Sequence, residues 1–330
     1  MQIRDADAKL RSHEAIGRIV QVDGERIFCR EEGNSKGTPV LLLHGVPTSS
    51  FLWRKLMPLI GRHRTLAPDL PGLGLSSKKP DRDYSWTGLA KTIGGLVDAL
   101  RLPPFHLVVH DIGGPIGLEF AIRQPGRVKS ITLLNSPLAV AHFRPPFPMS
   151  LFRGGLGSLA FDMMQPRLML FFFRQIGIAR RHGVDLDDMR VYRALLTRDG
   201  GKESFLKMMR GFELTPEKER FFDEGLRHLA AENVPALVIW GEQDPATPAF
   251  HRQFFVERIP YAEVHLLPAR HFLQEDHAEE IANLARPFWE RVDGETTVEA
   301  VGGSVGMDRV RGRPAMRGWR KMAVPGQSGE

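Results

Sequence analysis

The chain has 330 residues, a formal net charge of +6 and 42% hydrophobic residues. This length can bury one large core or two ordinary ones. The single cysteine, Cys29, excludes an intrachain disulfide, and no apolar signal core follows the amino terminus. The longest apolar run, 168–173, is too short to span a bilayer. We therefore expect a cytoplasmic protein without a membrane partner.

Basic residues are densest near the carboxyl terminus, at Arg309, Arg311, Arg313, Arg317, Arg320 and Lys321. They lie in a Gly-rich segment without hydrophobic periodicity, which predicts a disordered tail over 294–330. A nucleic-acid interface needs basic residues gathered on one surface together with a matching motif. No such motif is present, so we expect no nucleic-acid partner, and a weak contact of this tail with an anionic surface is the alternative left open.

Strand and helix patterns alternate through the first part of the chain. Asp23-Gly24 separates two alternating runs and predicts a hairpin. Continuous apolar runs are typical of strands buried on both faces of a parallel sheet. The predicted strands are 17–22, 26–30, 39–43, 64–68 and 107–109, with helices at 51–59 and 86–101. This alternation predicts an α/β fold with a mostly parallel sheet.

The pattern changes after a sixth predicted strand at 127–134. Residues 137–230 are rich in Phe, Met and Arg with helical periodicity, which predicts an inserted helical cap. Strands at 235–240 and 262–267 and a helix to about 292 then complete the fold. The predicted division is a core of 1–136 and 231–293, a cap of 137–230 and a tail of 294–330.

The segment 107–117 combines a β-branched strand, one acid and paired glycines before a helical pattern. A strand, a tight turn and a helix start in this order can raise one side chain, Asp111, above the sheet. This is the form of a nucleophile elbow, with Asp where hydrolases more often have Ser. Taken alone, Asp111 could equally be an ordinary helix cap.

Two further residues favour the interpretation of Asp111 as a nucleophile. Asp244 and His271 each follow a predicted strand directly, as Asp111 does, and ligands in open parallel sheets bind beyond the carboxyl ends of strands. Nucleophile, acid and histidine in this chain order form the α/β-hydrolase triad. We therefore predict Asp111, Asp244 and His271 as catalytic residues.

Four segments resemble the α/β-hydrolases of the haloalkane dehalogenase and epoxide hydrolase group. They are residues 44–54, from His-Gly-Val-Pro-Thr to Trp-Arg, the Asp-Leu-Pro-Gly run at 69–76, His-Asp-Ile-Gly-Gly at 110–114, and His-Phe-Leu-Gln-Glu-Asp at 271–276. The resemblance spans about 15–292. It implies an eight-stranded, mostly parallel sheet flanked by helices, with a helical cap over the site. It also implies that the backbone N–H groups of Val46 and Ile112 are oxyanion donors.

An Asp nucleophile points to an alkyl electrophile. A carboxylate that attacks an acyl carbon forms a reactive anhydride, whereas one that displaces a leaving group from a saturated carbon forms an ordinary ester. His271 would then activate the water that hydrolyses this ester, and Asp244 would orient the imidazole. The leaving group could be a halide, an epoxide oxygen or the carboxylate of a strained lactone.

The chain departs from both branches of the group. Haloalkane dehalogenases usually place a halide-binding Trp after the nucleophile and often an Asn in the first motif, and here these positions are Ile112 and Val46. Epoxide hydrolases usually use two cap Tyr hydroxyls, and this cap holds only Tyr192. His142 or His182 could partner Tyr192, or Tyr192 could be a packing residue.

The expected function is dehalogenase-like hydrolysis, with epoxide hydrolysis or lactone opening as alternatives. The Phe- and Met-rich cap predicts a small hydrophobic substrate, with Tyr192, Phe172 and Met164 as candidate contacts. No metal or cofactor site is indicated, because no Cys or HExxH context accompanies the histidines. A non-catalytic binding protein on this fold is the remaining alternative, and the oligomeric state is open.

Overall fold

The computed structural model describes residues 3–147, 149–180 and 183–302. Its centre is an eight-stranded sheet with the strand order β1-β2-β4-β3-β5-β6-β7-β8. All eight predicted strands are present, which confirms the predicted α/β-hydrolase fold class. Their bounds are β1 (Gly17–Val22), β2 (Glu25–Gly33), β3 (Pro39–Leu43), β4 (Arg64–Pro68), β5 (Phe105–Val109), β6 (Val128–Leu134), β7 (Ala236–Gly241) and β8 (Glu263–Leu267).

The first two strands form the predicted hairpin. Asp23 and Gly24 both have positive φ values, 47° and 73°, as a two-residue hairpin turn requires. β2 is antiparallel to β1 and β4, and every other neighbouring pair is parallel. The carboxyl ends of β3, β5, β6, β7 and β8 therefore meet at one edge of the sheet.

Twelve α-helices are found within the described residues: α1 (Ile3–Ile16), α2 (Met57–Ile60), α3 (Trp86–Ala99), α4 (Gly113–Arg123), α5 (Gly157–Met163), α6 (Pro166–Phe172), α7 (Leu186–Thr197), α8 (Gly201–Arg210), α9 (Pro216–Ala231), α10 (Ala249–Arg258), α11 (Leu273–Asp276) and α12 (Ala278–Gly302). The helix predicted at 51–59 is a 3₁₀ helix at Ser50–Lys55 followed by α2.

Helix α1 was not predicted from the sequence. It is mostly polar, and the Nζ atom of Lys9 lies 2.9 Å from Asp185 and 3.0 Å from Asp188, at the start of α7. The helix buries Ala6 and His13. Tertiary contacts to a distant segment therefore stabilise a helix whose own sequence carries a weak signal.

The predicted cap contains helices α5 to α9, but α9 contacts the helix layer of the sheet. A Cβ at Gly225 would lie 2.5 Å from Ile122 of α4, and the Nζ of Lys218 lies 2.5 Å from Glu119 of α4. Only a glycine allows the two helices this close approach. Helix α9 thus packs with α4, whereas the predicted cap boundary at 230 placed it in the cap.

Helix α12 continues through the start of the predicted tail. Its backbone remains helical to Gly302, so 294–302 is not the irregular segment expected from its composition. The preceding turns of α12 are already formed, and each further residue extends a helix at low cost. The rest of the predicted tail, 303–330, lies outside the described residues. Among those described, no helix is both long and apolar enough to cross a bilayer.

Candidate active site

Asp111 lies on the sharp turn between β5 and α4. Its φ is +50°, in the left-handed region that Asp tolerates better than most residues. Glycines make room around it. A Cβ at Gly113 would lie 2.4 Å from the carbonyl oxygen of Leu43, and a Cβ at Gly45 would lie 2.0 Å from Oδ1 of Asp111. The turn therefore projects the Asp111 carboxylate from the carboxyl edge of the sheet.

Two backbone groups hold the Asp111 carboxylate. The Val46 N–H donates to Oδ1 at 2.8 Å, and the Ile112 N–H also hydrogen-bonds to the carboxylate. These are the two donors that the family resemblance implied. Both are backbone groups, and the side chains of Val46 and Ile112 line the cavity above with apolar surface.

His271 lies between the two predicted carboxylates. Its Nε2 is 3.3 Å from Oδ2 of Asp111, and its Nδ1 is 2.8 Å from Oδ2 of Asp244. All three residues are buried to more than nine-tenths. The structure thus brings together the three side chains singled out in the sequence, from the ends of β5, β7 and β8. In this arrangement the imidazole can exchange a proton with a group at Asp111 while Asp244 orients it.

Asp244 is held by groups that the sequence reasoning did not identify. The Asn135 Nδ2 donates to Oδ2 at 2.8 Å, and the Ala246 N–H donates to Oδ1 at 2.7 Å. The Thr247 hydroxyl also donates to Oδ2. Asn135 follows β6 directly, so a polar residue at that strand end was the available signal. Thr247 lies three residues after Asp244 on a loop, which no periodic pattern marks.

The charges of the site determine its protonation. Burial by itself lowers the pKa of His271, but Asp244 and Asp111 outweigh burial and raise that pKa to about 10. Burial raises the pKa of both carboxyls, and the contacts with His271 then lower the pKa of Asp111 and of Asp244 below the ordinary Asp value. The resting site at neutral pH is therefore an imidazolium between two carboxylates.

Two other histidines near the elbow have structural roles. His110 Nε2 donates to the carbonyl oxygen of His271 at 2.9 Å, and burial together with the charge on His271 lowers the pKa of His110 to about 3. His44 Nδ1 donates to the Gly45 carbonyl, and its Nε2 accepts from the Leu70 N–H at 2.9 Å. Both rings are neutral, and both position backbone segments beside Asp111.

A cavity of about 340 Å³ lies above Asp111. Its walls include the cap residues Phe172 and Met164, both of which were predicted as substrate contacts. The only polar side chains lining it, among the described residues, are those of Asp111, Thr247 and His271. A site of this kind accommodates an apolar ligand and offers it few hydrogen bonds.

Tyr192 is not at this cavity, which corrects its prediction as a substrate contact. It is buried, and its hydroxyl donates to Oε1 of Glu275 at 2.5 Å. Burial and the adjacent Glu275 raise the pKa of Tyr192. Arg54 forms an ion pair with the same carboxylate at 2.7 Å. Because the buried Tyr192 hydroxyl has no access to water, it takes the Glu275 carboxylate as its hydrogen-bond partner.

The two histidines considered as partners for Tyr192 also lie elsewhere. His142 is exposed beside Glu219 and does not line the cavity. His182 lies outside the described residues. No Tyr or His of the described cap therefore lines the cavity opposite Asp111.

A separate cluster of His63, His106 and Asp293 brings three potential metal-ligand atoms within 4.8 Å of one another. It lies away from the carboxyl edge, since His106 belongs to the amino-terminal end of β5. The Nζ of Lys129 lies 2.5 Å from Oδ1 of Asp293, and the Nδ1 of His106 lies 2.7 Å from Ser130. The ammonium group of Lys129 thus already neutralises the Asp293 carboxylate, which a metal ion would need as a ligand.

Comparisons with known proteins agree with this architecture. A family model described as alpha/beta hydrolase fold matches residues 38–278. Haloalkane dehalogenase 2 of Mycobacterium tuberculosis is 31% identical over 264 residues, covering 78% of this chain and 89% of its own. Cis-3-alkyl-4-alkyloxetan-2-one decarboxylase of Shewanella oneidensis is 28% identical over 284 residues, covering 81% and 86%. The crystal structure of a haloalkane dehalogenase from Bradyrhizobium elkani has a TM-score of 0.70 and 27% identity, covering 84% and 99%.

Proposed function

Because the chain belongs to the α/β-hydrolase fold family, in the group of the haloalkane dehalogenases and epoxide hydrolases, we propose that Asp111 displaces a leaving group from a saturated carbon of an apolar substrate. His271 then drives hydrolysis of the resulting alkyl ester. The contact of His271 with both Asp111 and Asp244, at the base of an apolar cavity, carries this proposal.

The two oxygens of Asp111 have different environments and therefore different roles. Oδ1 accepts from the Val46 N–H, whereas Oδ2 faces His271. Attack by Oδ2 leaves Oδ1 as the carbonyl oxygen of the ester. When water adds to that carbon, the negative charge develops on Oδ1, where the backbone N–H group of Val46 stabilises it. The Ile112 N–H also hydrogen-bonds to this carboxyl group. Collapse of this intermediate releases the alcohol and restores the carboxylate.

Formation of the ester also changes the protonation of His271. In the resting site two carboxylates hold its pKa at about 10, so that the ring is charged and is no base. Alkylation of Asp111 removes one of these negative charges. The pKa of His271 then falls and the ring releases its proton to water, after which Nε2 can accept a proton from the attacking water.

The side chains that line the cavity determine which leaving groups can be stabilised there. An epoxide oxygen leaves on the side of the carbon opposite Asp111 and needs a proton there. The His271 imidazolium contacts Asp111 itself, and no described cap Tyr or His lines the cavity on the opposite side. Iodide and bromide leave as stable anions and depend least on hydrogen-bond donors. We therefore propose dehalogenase-like chemistry in which the rate decreases steeply from iodide to bromide to chloride.

A strained lactone is the second candidate, on two observations. Opening at its alkyl carbon releases a carboxylate, which needs no proton. It suits a cavity whose side-chain donors among the described residues, Thr247 and His271, are already engaged with Asp244 and Asp111. One relative with 28% identity is named as an oxetanone decarboxylase, and an oxetan-2-one is a strained lactone. The same Asp111 ester would form from either substrate.

The proposal is tested by incubating the parent with iodo-, bromo- and chloroalkanes of one chain length, an alkyl oxetan-2-one and a terminal epoxide. A His271→Gln variant should accumulate the alkyl ester, which a mass spectrum of the intact chain detects on Asp111. Asp111→Ala should form no adduct, and His228→Gln, which changes an exposed histidine of α9, should behave as the parent. Absence of turnover and of an adduct with every electrophile would instead favour a non-catalytic binding protein.

A further inference from the structure

Exposed apolar side chains lie on the cap, and most of them also line the cavity. Between 54% and 70% of the surface of each of five cap residues is accessible: Phe147, Leu156, Leu159, Met163 and Phe171. All but Phe171 also line the cavity. Scattered exposed leucines are common on proteins, but a group of large apolar residues around one opening marks an interaction surface. We call this group the apolar rim.

Two short helices contribute most of the rim. In α5, Leu159 and Met163 are four residues apart and therefore lie on one face. In α6, exposed Phe171 lies one turn after exposed Arg167 on the same face. In α5 the same two side chains line the cavity and remain exposed, whereas α6 directs Phe172 to the cavity and Phe171 to the surface.

Arginines without acidic partners accompany the rim. Arg144, Arg153, Arg167 and Arg174 form no ion pair with any described residue. Arg153 donates to the Met209 carbonyl and Arg144 to the carbonyl oxygens of Ala141 and Phe143. The single acid between 137 and 180, Asp162, is paired with Lys202 at 2.6 Å. The cap segment that forms the rim therefore carries positive charge that its one acid, already paired, does not balance.

We propose that the apolar rim docks on the surface of an anionic phospholipid bilayer. Large apolar side chains flanked by arginines are the combination that binds peripherally to such a surface, because the apolar groups enter the acyl boundary and the cations contact the headgroups. Docking in this orientation opens the cavity directly onto the lipid phase, where an apolar substrate accumulates. No membrane partner was expected from the sequence, because the rim is assembled only in the folded cap.

Charge argues against a second copy of this chain as the occupant. A two-fold dimer places the same surface of both chains together. Such a contact would bring the unpaired arginines of one rim against those of the other without carboxylates between them, which is unfavourable. An anionic bilayer supplies the missing negative charge.

Binding of the apolar rim to vesicles can be tested with the full chain and a site-specific fluorescent reporter. Cys29 is fully buried, so a cysteine introduced at the surface can be labelled selectively with a polarity-sensitive fluorophore. The reporter is placed by Leu159→Cys in the rim, and by Leu266→Cys, an exposed leucine on β8, as the matched control. The vesicles are phosphatidylcholine alone, or phosphatidylcholine and phosphatidylglycerol in equal parts.

We expect a blue shift of the Leu159→Cys reporter with the anionic vesicles only, and none for Leu266→Cys. In sedimentation with the same vesicles, Arg167→Gln should lower the partition coefficient about fivefold. Arg62→Gln should not, because that exposed arginine precedes β4 at the opposite edge of the sheet. The measurement needs no turnover, so its result is independent of the reaction proposed at Asp111.

Three outcomes would overturn the proposal. Vesicle binding without a shift of the rim reporter would assign the contact to another part of the chain, such as the basic residues at 309–321. A shift that appears without vesicles and grows with protein concentration would show that a second copy covers the rim. If the Arg167→Gln and Arg62→Gln variants have equal partition coefficients on anionic vesicles, the rim arginines do not contribute to binding.

Discussion

The Nε2 atom of His271 lies 3.3 Å from Oδ2 of Asp111, so the imidazolium contacts the oxygen that carries the proposed nucleophilic charge. The same ring binds Asp244 through Nδ1 at 2.8 Å. One histidine thus connects two carboxylates, and in the proposed reaction Asp111 becomes an ester while Asp244 remains ionised. This arrangement makes the pH dependence of His271 a direct probe of the site.

We predict that ionised His271 stabilises the folded protein. Its pKa in the folded state, about 10, is higher than the ordinary histidine value of about 6.5. Its contribution is therefore fully present below pH 6.5 and is lost as the pH rises toward 10. Urea unfolding of the parent and of His271→Gln across this range should show a difference in unfolding free energy that decreases with pH. A difference that stays constant would show that the pKa is not raised.

Thr247→Val should slow ester hydrolysis. Its hydroxyl donates to Asp244, and a hydrogen bond to a charged group contributes about 1.5–3 kcal/mol. Its loss weakens the hold of Asp244 on the protonated ring, so the hydrolysis step should slow about tenfold or more while the burst of ester formation persists. Single-turnover kinetics separate the two steps. Thr197→Val, at an exposed hydroxyl of α7, is the control, and an equal loss in both steps would refute this role.

Val46→Asn should improve the release of a poor leaving group. The Val46 side chain lines the cavity beside Asp111, so an amide there can donate to a departing halide. Removing one such donor from an active site costs about 2.7–4 kcal/mol, or about a hundredfold or more in rate. An amide introduced without supporting contacts should recover about half of the lower figure, so we expect a gain of about tenfold for chloride relative to iodide. Parallel rates on matched chloro- and iodoalkanes give the ratio. Val46→Ile keeps an apolar side chain and should leave the ratio unchanged, whereas no response to Asn would place the leaving group elsewhere.

Tyr192→Phe should affect stability and not the reaction. It removes a hydrogen bond to the buried Glu275 carboxylate, which should cost about 1.5–3 kcal/mol in the free energy of unfolding. Because Tyr192 does not line the cavity, kcat on a haloalkane or an epoxide should stay within about twofold of the parent. Urea unfolding and steady-state kinetics measure the two effects. A large loss of epoxide turnover with unchanged stability would restore Tyr192 as a proton donor.

The strands and the three residues at their ends were predictable from the sequence, because the signals are local. Apolar runs with β-branched residues mark buried strands, and Asp111, Asp244 and His271 each follow such a run directly. The common edge of a parallel sheet then places these ends together. The Asp23-Gly24 turn was predictable for the same reason, since two residues set its geometry.

Only the tertiary structure decided which cap groups face Asp111. Helical periodicity shows that α7 has a buried face, but it does not distinguish burial against a substrate cavity from burial against Glu275. Tyr192 therefore faces an ion pair more than eighty positions away in the sequence, and Thr247 reaches Asp244 from a loop without periodicity. The apolar rim is likewise a property of the folded cap, because burial of one face of α5 and α6 determines which of their Phe, Leu and Met residues remain exposed.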